Sequence, residues 1–559
     1  MPSRAAAGLG RRSGVAGVWV VIALLVVFPV FRLAYVVWTE GSAHLDDALG
    51  RPGLGESVVN TVLLALAVTV VAVPLGAAVA LALRRTDVPG RHWWRFAMLL
   101  PVLVPQFVLG YSWTQAYGRA GFTDTVLGLP WPSVLGPWGV WAVLVVNTVP
   151  LTYLLAAVGL ATRAEPDLER AARASGAGAA LVLRDVTLPL LRPSIAAASV
   201  LSFVLTLESF AIPQVMGTPA GFSTVTTTIY RDLSLGSDPL SFVEAITLAL
   251  LLVAITVIVV LPADLWLGPR LRVTRVANSA GAPITTPRGA VGRWIAGGLG
   301  AYLLLGVIIP LVALVITALT PAVGVSPSPA NWTLDNFSAV ANSRNAEALG
   351  RSALLALVAA TLLTVLGGCV AVLERGRAGR AMASLVTLTL VLPGSTLAVA
   401  LLIAYGRWIG GTLTLIMLAY LAKLWAFAHR PISGALDRLP PGELQAARAS
   451  GAGVLTAVRT VALRPLAPAL LGAWLVCFVT ALHEVTMSSL LYGPGSETLA
   501  VVVLNSAELG RVGLTAALSV LLTLVMTVPA VPVWLLIRWL RSPRRGTEGA
   551  TMGSLASAS

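Results

Sequence analysis

Arg170-Ala171-Ala172-Arg173-Ala174-Ser175-Gly176-Ala177-Gly178 returns later in the chain as Gln445-Ala446-Ala447-Arg448-Ala449-Ser450-Gly451-Ala452-Gly453. The offset is 446 − 171 = 275 residues, and from Ala171 to Gly178 the copies are identical. The pairing continues at Arg184/Arg459, Val186/Val461, Leu188/Leu463, Leu191/Leu466 and Pro193/Pro468. A repeat of this length implies two related halves, not a solenoid. Each copy is rich in Ala and Arg, broken by Gly, and lies between long apolar runs.

The composition sets the solvent. Of 559 residues, 57% are hydrophobic and 11% charged, with mean hydropathy +0.86. A soluble domain is about a quarter charged, so the chain reads as an integral membrane protein. The formal charge of +14 is nearly all arginine, and Lys423 is the only lysine. The arginines sit in short loops between apolar runs. Orientation against anionic lipid explains them, and nucleic-acid binding is not expected. Cys369 and Cys477 fall in apolar runs and read as small buried residues, with no disulfide framework or metal-ligand spacing.

A helix needs about 20 apolar residues to cross a bilayer. Spans are expected near 15–38, 57–83, 94–116, 138–161, 193–216 and 241–268, then near 292–319, 350–373, 382–405, 411–430, 467–492 and 513–540. The first apolar run is too long for a signal-peptide core and lacks a clear cleavage site, so it is expected to be a retained span. The fold class is therefore all-α membrane protein, with about twelve transmembrane helices in two parallel six-helix repeats. The halves are expected over 1–275 and 292–545, joined by a flexible linker at 276–291 and followed by a disordered tail at 546–559. The repeated loops cover 166–190 and 441–465. Arginine in alternate loops places both of them, and both termini, on the cytoplasmic face of a cell (inner) membrane. The polar segments 217–240, 320–348 and 493–511 should face water outside.

Small side chains let another surface approach closely, and Gly opens backbone conformations closed to other residues. A short helix, a break and a second short helix against the membrane suit a grip for a cytoplasmic partner. Both copies resemble the EAA loop of binding-protein-dependent ABC importer permeases: Glu-Ala-Ala, three residues, Gly, nine residues, Ile-x-Leu-Pro. The first copy matches at Ala171, Ala172, Gly176, Val186, Leu188 and Pro189. The second matches at Ala446, Ala447, Gly451, Val461 and Leu463. The Glu position holds Arg170 and Gln445, and the final Pro position of the second copy holds Arg464. The resemblance implies that each loop is a coupling helix in a groove of one subunit of a cytoplasmic ABC ATPase dimer. It also implies a substrate-binding protein outside. ATP and Mg would then belong to the ATPase, and this chain would bind no cofactor and catalyse nothing. Independently, a phosphate-binding loop needs Gly-Lys-Ser/Thr, and the sole lysine stands in Leu421-Ala422-Lys423-Leu424.

Two further stretches are similar to the fused permeases of ferric-iron importers. They are Leu205–Phe210 before Val215–Pro219, and His483–Ser488 before Leu491–Leu499. Thiamine, aminoethylphosphonate and polyamine permeases share parts of the pattern. Glu208 lies 16 residues past Arg192, and Glu484 lies 16 past Pro468. At 1.5 Å per residue both stand roughly 24 Å above the cytoplasmic boundary. Charges there face a cavity or a partner. With His483, the two glutamates are candidates for contact with a passing cation; the competing reading has each glutamate capping a neighbouring helix or binding backbone donors at the external gate. No resident metal site is expected. His44, His92 and His429 read as solvated or interfacial, and tryptophans near span ends as an aromatic belt. An ion-coupled secondary transporter also shows repeats, but would need coupling charges near the midplane.

Overall fold

The structure is a computed structural model that describes residues 14–41, 50, 53–162, 166–236, 238–272, 289–374, 377–439, 442–453, 456 and 458–541. No strand occurs among them. The first half comprises α1 (Gly14–Thr39), α2 (Leu54–Arg85), α3 (Arg91–Leu103), α4 (Gln106–Tyr117), α5 (Pro137–Thr162), α6 (Pro166–Ala174), α7 (Ala179–Leu207), α8 (Val225–Ser234) and α9 (Pro239–Arg272). The second repeats that order: α10 (Gly289–Leu319), α11 (Ser343–Leu373), α12 (Arg377–Leu388), α13 (Gly394–Ile409), α14 (Leu413–Leu436), α15 (Glu443–Ala449) and α16 (Arg464–Leu482) come first. α17 (Thr486–Leu491), α18 (Leu499–Glu508) and α19 (Val512–Arg541) complete it.

Among the described residues, nine helices are long and apolar enough to cross a membrane. A bent pair, Arg91–Leu103 with Gln106–Leu127, makes a tenth, its arms at 94°. The molecule is therefore a multi-pass membrane protein built from two helical repeats. The spans expected near 94–116 and 382–405 are each interrupted, between Leu103 and Gln106 and between Leu388 and Gly394. Proline causes both breaks. Val104 is driven to ψ 126° by the following Pro105, and Pro105 and Pro393 are themselves extended, at ψ 140° and 138°. The spans expected at 193–216 and 467–492 also stop early, at Leu207 and Leu482.

Segments 217–240 and 493–511 do not simply face water. They hold α8 and α18, whose Val225–Tyr230 and Leu499–Val501 are buried. The threonines of 224–227 make this possible by bonding one another and nearby backbone, so few polar groups need water. Residues 289–291 of the expected linker are the start of α10, while 276–288 and the tail lie outside the described residues.

In each half three long helices pack as a core, α2 with α5 and α7, and α11 with α14 and α16. Glycine makes the closest approach. A Cβ on Gly76 would meet Thr152 and the Tyr153 amide, and one on Gly367 would meet Ala428 and the His429 amide. The leading helix of each half crosses to the other: α1 lies on α13, and α10 on α4. The crossing is pinned by matched bonds. Both leading helices contain a π-helical turn, at Ala23–Val27 and Leu304–Ile308, a form that loosens the backbone ladder. Tyr405 Oη donates to the Leu24 carbonyl at 2.7 Å, and Tyr117 Oη to that of Leu305 at 2.6 Å. Trp113 Nε1 adds a bond to Gly306 at 2.9 Å.

Candidate functional site

The two repeated loops fold alike. α6 ends at Ala174, and Gly176 follows at φ 88°; in the second copy Gly451 stands at φ 89°. That left-handed conformation is open to Gly at little cost. It lets the Ala177 amide reach back to the Ala172 carbonyl at 3.0 Å, and that of Ala452 to Ala447 at 3.1 Å. Ser175 and Ser450 each donate to the carbonyl four residues before, both at 3.0 Å. A Cβ at either Gly would meet nothing, so φ alone demands glycine there. Ala171, Gly176, Ala446 and Gly451 are exposed, and Ala172 and Ala447 half-buried, so each loop presents a bare small-residue knuckle. Leu188, Pro189 and Leu463 stand beyond the knuckle, where π-helical turns at Leu183–Thr187 and Val458–Leu463 lead into the long helices.

The loops differ beneath the knuckle. Glu169, one residue before the position that the EAA pattern gives to glutamate, is buried. Its Oε1 accepts from Arg85 Nη2 at 2.8 Å and from Thr187 Oγ1 at 3.0 Å. The first loop is thereby tied to the end of α2. At the same offset of 275 the second copy has Leu444 and Ala462, which cannot make this connection. There the end of α11 is tied elsewhere: Glu374 accepts from Ser433 Oγ at 2.8 Å and lies 3.2 Å from His429 Nε2. His429 is therefore a buried residue of α14, where a solvated or interfacial one was expected; its exposure is 4%. His92 is exposed as expected, and His44 lies outside the described residues. Cys477 is buried, but Cys369 is exposed on the outward face of α11.

At the far end of α7 the chain stops being helical at Glu208. Glu208 Oε2 accepts from Lys423 Nζ at 2.7 Å, and the carboxylate also takes the backbone amide of Gly394. Both donors belong to the other half. Lys423 further donates to the carbonyls of Leu390, at 3.1 Å, and Leu392. Those carbonyls are left free by the break between α12 and α13, so one ammonium satisfies the broken helix and the opposite half's carboxylate together. Sequence reasoning used Lys423 only to exclude a nucleotide loop. A sole lysine inside an apolar run was signal enough for a functional residue, but nothing near it in sequence named its partner.

Glu484 stands at the same helix break in the second half, 484 − 208 = 276 residues on and so one past the 275 offset. The position matching Lys423 is 423 − 276 = 147, which is Asn147. Asn147 accepts from Gln106 Nε2 at 3.1 Å, and Gln106 accepts from Ser209 Oγ at 3.5 Å. Glu484 turns onto its own chain. Its oxygens accept from the Met487 amide at 2.9 and 3.0 Å and from the Ser488 amide at 3.1 Å, closing the first turn of α17. Tyr420 Oη fixes that turn through Ser488 Oγ at 2.8 Å. His483 lies next door, with Nδ1 2.6 Å from the Val479 carbonyl.

These features meet in one known architecture. The family described as binding-protein-dependent transport system inner membrane component matches residues 18–273 and 364–546, one segment in each half. The chain belongs to that family. It is similar to a probable ABC transporter permease of Sinorhizobium fredii, y4fN, at 25% identity over 91% of this chain and 92% of the relative. The ferric transport system permease FbpB of Actinobacillus pleuropneumoniae is 22% identical over 90% of this chain and 75% of its own length. The putrescine transport system permease PotI of Escherichia coli is 31% identical over 32% of this chain and 66% of its own length. The permease is thus a fused chain whose halves each carry one exposed Ala-Ala-x-x-x-Gly loop.

Proposed function

We propose that this permease forms the translocation pathway of an ATP-driven importer of ferric iron. The carrying observation is the pair of exposed knuckles, identical from Ala171 to Gly178 and from Ala446 to Gly453 and each turned by a left-handed glycine. They fit one cytoplasmic ATPase subunit each, and closure of the ATPase pair would draw them together. Hydrolysis, with ATP and Mg, belongs to that partner, and a binding protein delivers cargo at the opposite face. The arginine pattern supports cytoplasmic termini. The pathway runs between the halves past Glu208, His483 and Glu484, which stand where α7 and α16 break, one helix length from the knuckles. Iron as cargo rests on the likeness to a ferric permease over 90% of this chain; the shorter likeness to a putrescine permease supports polyamine as the second reading.

Uptake of labelled ferric citrate and labelled putrescine, in cells with and without the chain, tests the proposal. Chain-dependent, ATP-dependent iron uptake is expected. Chain-dependent uptake of putrescine alone would replace the cargo, and uptake surviving ATP depletion would overturn the importer reading.

A further inference from the structure

Glu208 and Glu484 have their charges answered, by Lys423 and by helix amides. A third carboxylate between the halves does not. Glu508 ends α18, its side chain is exposed, and among the described residues it has no ion-pair partner. Its Oε1 accepts from Gln214 Nε2 at 3.0 Å and its Oε2 from Tyr230 Oη at 3.4 Å. Gln214 and Tyr230 belong to the first half. On the second half, Asn505 Nδ2 donates to Tyr492 Oη at 3.3 Å, and Tyr492 is close enough to act electrostatically on Tyr230. Thr218 Oγ1 donates to Gln214 Oε1 at 3.2 Å. Six oxygen-bearing side chains from both halves therefore meet here, and Glu508 is the one carboxylate among them. Tyr230 lies on α8 and Asn505 and Glu508 on α18, Tyr492 directly follows α17, and Gln214 and Thr218 stand in the helical turns at 213–220. All are beyond the breaks at Glu208 and Glu484 and so at the end remote from the coupling knuckles.

We propose that Glu508, Tyr230 and Tyr492, supported by Gln214 and Asn505, form a reception site for a hard metal cation at the mouth between the halves. This rests on the importer reading above and adds the side chains that first meet the cargo. The donor set contains oxygen only, which favours hard ions over soft ones. Binding would replace the hydrogen bonds that Gln214 and Tyr230 give Glu508. The Gln214 amide turns its carbonyl toward the ion, since one end of an amide accepts and the other donates. The two phenols give their protons to water and become phenolates. Because the ligands come from both halves, an ion held here also bridges them, and moving the halves apart dismantles the site and releases it. Glu497, the nearest acidic alternative in sequence, is not equivalent: it is held by Arg344 at 3.3 Å and Arg351 at 3.5 Å.

The full chain in lipid nanodiscs, titrated with ferric citrate, provides the test. Iron bound by phenolate gives a visible ligand-to-metal charge-transfer absorption, which a merely structural hydrogen-bond clasp cannot produce. The band is expected in the unaltered chain. It should vanish in Tyr230→Phe/Tyr492→Phe, weaken about tenfold in affinity in Glu508→Gln, and be unchanged in Glu497→Gln. Unfolding temperatures of the variants establish that each is folded. No band in the unaltered chain, or a band that survives the double tyrosine change, overturns the site. So does putrescine binding that depends on these three residues while iron does not bind. Iron uptake that requires the chain, with no band, overturns this site alone; absence of chain-dependent iron uptake overturns the importer reading beneath it.

Discussion

Glu208 and Glu484 stand at the same helix break in the two halves and are held in opposite ways. Glu208 reaches across to Lys423 and the Gly394 amide; Glu484 folds back onto Met487 and Ser488. One residue explains the difference. Lys423 stands where the other half has Asn147; it pairs directly with Glu208 and reaches Glu484 only through space. A duplicated fold has thus kept its helix breaks and varied the charge that fills them. The same holds at the knuckles, where Glu169 ties the first loop to Arg85 and Leu444 leaves the second without that tie. Glu169 and Glu208 of the first half thus take cations directly, while Glu484 of the second closes a helix turn.

The largest expected effect comes from breaking the cross-half pair. Lys423→Met strands the Glu208 carboxylate and two carbonyls, and should cost about 3–5 kcal/mol. Denaturant or thermal unfolding in detergent measures it. Adding Glu208→Gln should recover most of the loss, since a neutral pair needs no counter-charge. Unchanged stability in the single variant would break the comparison.

Glu484→Gln should cost only about 1 kcal/mol, the scale of a lost helix cap, because the amide oxygen still accepts from one backbone donor. A loss as large as that of Lys423→Met would show the two carboxylates to be equivalent after all. The tyrosine clamps offer a control in which symmetry is retained. Tyr117→Phe and Tyr405→Phe should each cost about 1 kcal/mol and to similar extents, as each removes one bond to a π-turn carbonyl.

The smallest effect concerns acid. Partial burial pushes the Glu497 carboxyl up, but its own backbone amide and the Arg344 and Arg351 guanidiniums outweigh this and hold it below the usual range. A lowered folded-state value contributes stability above the unfolded pKa and loses it as pH falls through the folded one. The unaltered chain should therefore lose slightly more stability than Glu497→Gln on acidification below about pH 4, the ordinary carboxylate range. Identical acid profiles would remove Glu497 from the account.

The spans and the repeat were legible because hydropathy over 20 residues and eight identical residues are strong local signals. The breaks were not. Hydropathy runs on through Pro105, yet that proline displaces Val104 from helical geometry and the pair bends by 94°. Glu208 and Glu484 were legible as costly charges, but what answers each depends on a residue more than 200 positions away in one case and on a local helix start in the other. Glu169 was hidden by its neighbour, because Arg170 fills the place where the EAA pattern carries glutamate.

The central claim is that the two knuckles hand motion to a pair of ATPase subunits. It is tested most directly by purifying the chain in mild detergent from its own cells and counting the ATPase that accompanies it. Two copies per chain are expected, and both should be lost when Gly176→Val and Gly451→Val remove the left-handed turns. A chain that purifies alone and still transports in vesicles without ATP would contradict the account.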